Sequence, residues 1–251
     1  MGYDLFEVIM KICVIKQPAG LGDIFFTQKI AHDVLTGKKA DLVIWPVIKE
    51  YSYLSDYLIG DKIFFVNEEE FFPFKNVYAS ETKDQISLRG ELIYIPLQSA
   101  DSLIKDVPVM QAKYKFYGLD YSDWKNFFNF KRNYERENKL IDYLGININE
   151  PFNLINRKFG SKNYAHLNNN IPIQVNNGFK NIEMEYLDFD NVFDWIGLME
   201  KAVEIHTVDT VWCYLLAKLG NKNVTVYSRT KNQFFFSYVN GIFDSDWKFI
   251  L

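Results

Sequence analysis

Two cysteines in 251 residues leave no room for a disulfide framework. Cys13 and Cys213 each sit inside an apolar run, so both read as small buried thiols of a reducing compartment. Three histidines, His32, His166 and His206, stand without any Cys–His spacing, which argues against a structural zinc site. No apolar run approaches the roughly 18 residues that a membrane span requires. Met10 to Ile15 is short, is interrupted by Lys11 and lacks a small-residue cleavage signal, so it does not read as a secretory leader. A surplus of positive charge is also missing. The net charge is -4, which offers no general attraction for nucleic acid. There is no phosphate-binding P-loop and no G-x-S-x-G elbow, so NTPase and serine-hydrolase chemistry lack their markers. The expectation is a cytoplasmic protein with no transmembrane segment and no nucleic-acid partner.

What is present is apolar and aromatic material, at 48% and 17% of the chain, enough for one large core or two small ones. Lys11 to Ile15 is a near-continuous apolar run, as in a strand buried within a parallel sheet. The turn Gln17-Pro18-Ala19-Gly20-Leu21-Gly22-Asp23 follows, and then apolar residues at helical spacing from Ile24 to Leu35, stopped by Gly37. Further strands are predicted at Leu42–Trp45, Lys62–Val66 and Glu91–Pro96, with a helix over Tyr51–Ile59. Residues 98–130 are aromatic with weak periodicity and are expected to form the inner wall of a cleft. Asn133–Leu144 reads as a charged helix. The Asn/Pro-rich passage Asn147–Pro151 marks the expected domain boundary, with α/β order restarting at Phe152–Asn156. A strand over Asn181–Tyr186 is predicted to lead to a helix capped by Asp190 or Asn191 and ending near Lys201. Then come a strand over Val203–His206, a helix over Val208–Leu219 capped by Thr207, and a strand over Val224–Tyr227. The fold class is α/β, as two compact Rossmann-like domains facing across a cleft: residues 1–148, residues 149–235, and a segment 236–251 packing back on the first domain.

Five places can carry chemistry. Gly20 and Gly22 let the backbone approach a ligand, and Asp23 follows at a helix start. Phe25 occupies the position where a dinucleotide fingerprint wants its third glycine, so that motif is incomplete. Asp23 is either a helix-capping carboxylate or one aimed into the crevice at the sheet's carboxyl edge. His206, Asp209 and Thr210 open a second helix whose start can hold a phosphate, although a capped helix beside a satisfied histidine explains them as well. Arg157 and Lys158, with Gly160 and Ser161, suit a diphosphate or form a solvated basic turn. Asp188-Phe189-Asp190 and Asp244-Ser245-Asp246 match a metal-binding Asp-x-Asp pattern, yet caps and turns account for them more simply, and no metal is expected.

In their order along the chain these features resemble the heptosyltransferase-like enzymes of glycosyltransferase family 9, of the two-domain GT-B architecture. Gly22-Asp23 matches the family's Gly-Asp at the start of its first helix. Val208-Asp209-Thr210, Leu215–Gly220 and Val224–Tyr227 match its C-terminal passage. Val211 stands where the family has glycine and Tyr214 where it usually has histidine, so the donor sugar is left open.

The resemblance implies a nucleotide-diphosphate sugar as co-substrate, bound by the second domain without metal or resident cofactor. It implies a glycan or lipid-linked acceptor facing the first. Asp23 would be the general base, Arg157 or Lys158 would neutralise the leaving diphosphate, Asp209 and Thr210 would hold the donor, and Glu183 or Glu185 would contact the ribose. A non-catalytic nucleotide- or glycan-binding protein of the same fold and a nucleotide-sugar epimerase are the alternatives.

Overall fold

A computed structural model describes residues 10–70, 87–89, 91–105, 107–159, 171–185, 187–229, 241–243 and 246–250. The chain divides into two compact units, 1–130 and 131–251.

The first unit carries a five-stranded sheet in the order β3-β2-β1-β5-β4. β1 (Ile12–Ile15) lies at its centre, flanked by β2 (Leu42–Val47) and β5 (Leu92–Ile95), and β3 (Ile63–Asn67) pairs outside β2. These four strands are parallel. β4 (Ser87–Arg89) closes the other edge antiparallel to β5. β1 reads as an unbroken apolar run because both of its faces are covered, and Cys13, Val14 and Ile15 are buried.

After β1 the chain turns through Gly20, whose φ of +82° belongs to the left-handed region, and enters α1 (Leu21–Phe26). A break at Thr27 separates α1 from α2 (Gln28–Thr36), so one predicted helix is two. The predicted helix over 51–59 is instead a 3-10 turn at Lys49–Tyr51 and the single turn α3 (Leu54–Tyr57).

Residues 98–130 depart from the expected cleft wall. They form α4 (Ala100–Leu103), α5 (Val109–Tyr117) and a 3-10 turn at Trp124–Asn126. Three of their aromatics are core. Phe128 stacks on Phe25 with ring centres 4.4 Å apart, Tyr114 and Trp124 meet Phe26 edge-on, and Tyr114, Trp124 and Phe128 are all fully buried. The weak periodicity of this stretch follows from side chains that wrap around α1 rather than lining one regular face.

The second unit begins earlier than the sequence suggests. α6 (Tyr134–Tyr143), capped by Asn133, belongs to it. Arg136 forks onto Asp194 at 2.9 and 2.7 Å, and Arg132, just before the helix, joins Glu137 of α6 to Glu200. The Asn/Pro-rich passage at 147–151 is therefore a loop inside the second unit, between α6 and β6 (Phe152–Asn156), and not the boundary between units.

The second sheet is parallel throughout, in the order β10-β9-β8-β6-β7. It comprises β6, β7 (Lys180–Glu183), β8 (Glu204–Val208), β9 (Val224–Tyr227) and β10 (Lys248–Ile250). Asn191 caps a 3-10 turn, Val192–Trp195, through a reciprocal box with Asp194, and α7 (Ile196–Lys201) continues from it. α8 (Val211–Leu219) joins β8 to β9 and buries Trp212, Leu215 and Leu216.

Within the C-terminal segment, β10 extends the second sheet beside β9. Trp247 anchors it by donating to the Asn221 carbonyl at 2.7 Å and stacking on Phe243. β10 thereby covers the backbone groups along an edge of β9 that would otherwise be open, a pairing that the aromatic composition of this stretch does not signal.

Candidate active site

In an open α/β sheet, loops leaving adjacent central strands in opposite directions open a crevice at the strands' carboxyl ends. The first unit has that point between β1 and β5. Three side chains meet there. Gln17, just past β1, donates from Nε2 to the Ala19 carbonyl, which fixes its amide. Lys113 of α5, only 2% exposed, donates from Nζ to Gln17 Oε1 at 2.8 Å and to the Leu97 carbonyl, just past β5, at 3.1 Å. The same Nζ lies 3.1 Å from Oδ1 of Asp23. Asp23 sits in the first turn of α1 with its side chain 27% exposed, and it caps nothing: the cap position belongs to Gly20, and no side-chain cap bond is made.

Gly20 is the glycine this arrangement needs. Beyond its left-handed φ, a Cβ on Gly20 would collide with Oδ2 of Asp23. Gly22 lies within the first turn of α1. Tyr51 lies close by. Burial and then the Asp23 charge hold its hydroxyl above the usual tyrosine range, against the opposing pull of the Gly20 and Leu21 backbone. Sequence patterns singled out Asp23 but not Lys113, Gln17 or Tyr51, because no local motif connects residues brought together from β1, β5 and α5.

The corresponding crevice of the second sheet lies between β6 and β8. Asn156, 1% exposed at the end of β6, donates to Oγ1 of Thr207 at 3.0 Å and of Thr210 at 3.3 Å, while its own Oδ1 accepts from the Lys158 amide. β8 runs two residues further than predicted, and Thr210, not Thr207, caps α8 by accepting from the Trp212 amide. Asp209 therefore precedes the helix instead of lying in its first turn, and pairs with Arg229 at 3.0 Å. Arg229 lies over the Phe159 ring.

The other predicted donor residues are placed as follows. Arg157 forks onto Glu183 and donates two further N–H groups to the Ile171 and Ile173 carbonyls, so Arg157 and Glu183 are paired with one another. His206 has both ring nitrogens engaged, by Tyr227 and Glu204, each at 3.1 Å. Glu185 is exposed past β7. Gly160 and Ser161 lie outside the described residues, as do Asp244 and Ser245. Asp190 accepts from the Leu187 amide and from Trp195 Nε1, a turn-stabilising role. Among the described residues no group of three or more His, Cys, Asp or Glu gathers as a metal site, and no helix is long and apolar enough to cross a membrane. Cys13 and Cys213 are free and buried, and burial pushes both thiols up to about 12.

Two α/β units, each with a carboxyl-edge crevice at its strand-order switch, make a two-domain fold that is also found in a glycosyltransferase family 9 structure. No family model and no curated protein matches the sequence. Among solved structures, glycosyl transferase family 9 from Veillonella parvula is similar with a TM-score of 0.55 at 11% identity, over 96% of this chain and 86% of that one. The E. coli heptosyltransferase WaaC with ADP aligns with a TM-score of 0.47 at 10% identity, over 96% and 93% of the two chains. The fold assignment rests on the first of these.

Proposed function

We propose that the chain is a glycosyltransferase that moves a sugar from a nucleotide-diphosphate donor to a hydroxyl of a glycan or lipid-linked acceptor, in the cytoplasm and without metal. The observation that carries this reading is the Asp23 carboxylate: half-buried, not capping, in the first turn after β1, and oriented through Oδ1. Oδ2 takes the proton of the acceptor hydroxyl. The acceptor oxygen then forms its bond to the sugar's anomeric carbon, and the bond from that carbon to the diphosphate oxygen breaks, leaving both electrons on the nucleoside diphosphate.

The leaving diphosphate needs positive charge or oriented N–H groups in place of a metal. The start of α8 at Thr210, with Asn156 orienting the Thr210 hydroxyl and Lys158 nearby, supports that role. Arg157 and Glu183 are committed to each other, so the donor reading rests on Thr210 and Lys158. Two free buried thiols suit the reducing compartment in which nucleotide sugars are made.

The test has two steps. Thermal unfolding is followed with ADP, UDP, GDP and CDP in EDTA, where one nucleotide should raise the transition. Release of that nucleoside diphosphate from its sugar conjugates is then measured with and without glycan acceptors. Acceptor-dependent release supports the proposal. Binding without release would favour a non-catalytic binding protein, and acceptor-free conversion of the donor to an isomer would favour an epimerase.

A further inference from the structure

We propose that Lys113 is the positioning residue of this site: it acts through Asp23, aiming and holding the catalytic carboxylate, and does not itself bind donor or acceptor. The inference rests on the glycosyltransferase reading above.

An ammonium has three protons to donate. Lys113 has three oxygens within 3.1 Å, one from each side of the crevice and one on α1: it donates to Gln17 Oε1 and the Leu97 carbonyl and forms an ion pair with Asp23 Oδ1. With its side chain 3% exposed among these oxygens, the ammonium is turned to the protein rather than to a phosphate or sugar. Two of the acceptors are rigid. The Leu97 carbonyl leaves the end of a central strand, and the Gln17 amide is fixed by its bond to Ala19. Nζ is thereby located by the sheet, and Asp23 is located by Nζ.

A purely structural tie between α5 and α1 is already supplied one residue on. The Tyr114 hydroxyl donates to the Phe26 carbonyl at 2.6 Å, at the far end of α1. A buried ion pair is a poor way to add stability, because the cost of desolvating two charges offsets their attraction, and an apolar pair of similar volume commonly serves as well. A charge at this position makes sense where a carboxylate must be held, in one orientation, beside a reacting hydroxyl. Displacing such a group by about 1 Å is enough to lower a rate on the order of 100-fold.

The test is a double-mutant cycle on nucleoside diphosphate release by the full-length chain, using the donor found in the panel above. Lys113→Met keeps the length of the stem and removes the ammonium. On the wild-type background it should lower kcat by about 10- to 100-fold while leaving the KM for donor within about 2-fold. On the Asp23→Asn background the same substitution should change kcat by less than about 2-fold, because the group it positions is already disabled. Equal losses on both backgrounds would overturn the proposal and make Lys113 a structural residue.

If Lys113→Met fails to fold, Gln17→Leu, which removes the acceptor that locates Nζ, enters the same cycle with the same expectations. Tyr114→Phe is the control: it should lower the unfolding temperature and cost the same on both backgrounds. An active wild type whose Lys113→Met variant keeps its full kcat overturns the role of Lys113 and leaves the donor reading standing. A wild type that releases nucleoside diphosphate from no donor overturns both.

Discussion

Nζ of Lys113 lies 3.1 Å from Oδ1 of Asp23, joining the first turn of α1 to a helix far along the chain. The pair sits at the strand-order switch of the first sheet. Its neighbours Gln17 and Leu97 follow the two strands that diverge there.

Gly20 sets the approach of the Asp23 carboxylate. Gly20→Ala places an L-residue at φ +82° and its Cβ against Oδ2. A left-handed alanine costs about 1–2 kcal/mol before any clash is counted. A fall of several degrees in the unfolding temperature is expected, with turnover falling at least 10-fold because Asp23 must move. Unfolding scans and nucleoside diphosphate release check both. A variant with wild-type turnover would show that the position of Oδ2 is immaterial.

The donor half is tested at Thr210. Thr210→Val removes the cap of α8 and one of the two hydroxyl acceptors of the Asn156 amide. The lost cap costs about 1 kcal/mol of stability. Nucleoside diphosphate affinity by calorimetry should drop about 10-fold, and wild-type affinity should be the same in EDTA as in manganese. Binding that vanishes in EDTA and returns with manganese would contradict the metal-independent account.

The extent of the second unit is tested at Arg136. Asp194 is 3% exposed and receives two of this guanidinium's hydrogen bonds. Arg136→Met leaves the buried carboxylate without its cation. Because the arginine is itself partly exposed, a loss of about 2 kcal/mol is expected, less than for a fully buried pair. Denaturant unfolding should register it. An unchanged midpoint would mean that α6 is not tied to the second unit through this pair.

Much of this framework is legible in the sequence, and the misses have physical causes. β1 is plain because a strand covered on both faces must be apolar along its whole length, while β6 and β9 are marked by short β-branched or apolar stretches bounded by turn residues. The Gly-Asp step is visible because a turn and a helix start leave a local signature. Lys113 gave none, since a lysine on an amphipathic stretch looks solvated until the fold delivers three acceptors to it. The start of α8 was placed too early because Thr207, Asp209 and Thr210 are all plausible caps. Pairing of β8 with β6 and β9 keeps Thr207 and Val208 in the strand. The unit boundary was drawn at the strongest loop signal, whereas what assigns α6 is the pairing of Arg132 and Arg136 with carboxylates about 60 residues away in sequence.

His32 provides the pH dependence. Burial holds it below its ordinary value of 6.5, with the Phe127 backbone pulling the other way, and its buried Nε2 has no hydrogen-bond partner. With its pKa depressed in the folded state, the unfolded chain takes up the proton first as pH falls. The stability linked to His32 is therefore in place above about pH 6.5 and is lost as pH drops towards the folded-state value. His32→Gln should flatten the fall in stability between about pH 7 and pH 5. Parallel profiles for the two proteins would exclude His32 as the cause.

The most direct measurement is acceptor-dependent nucleoside diphosphate release by Asp23→Asn. The substitution keeps the size of the side chain and an oxygen for Lys113 but removes the proton acceptor. Release should fall about 10²- to 10⁴-fold, the usual contribution of a positioned base. Nucleoside diphosphate affinity should stay within about 2-fold, because the groups proposed to hold the diphosphate belong to the second unit. A folded Asp23→Asn protein with near-wild-type release would contradict the account.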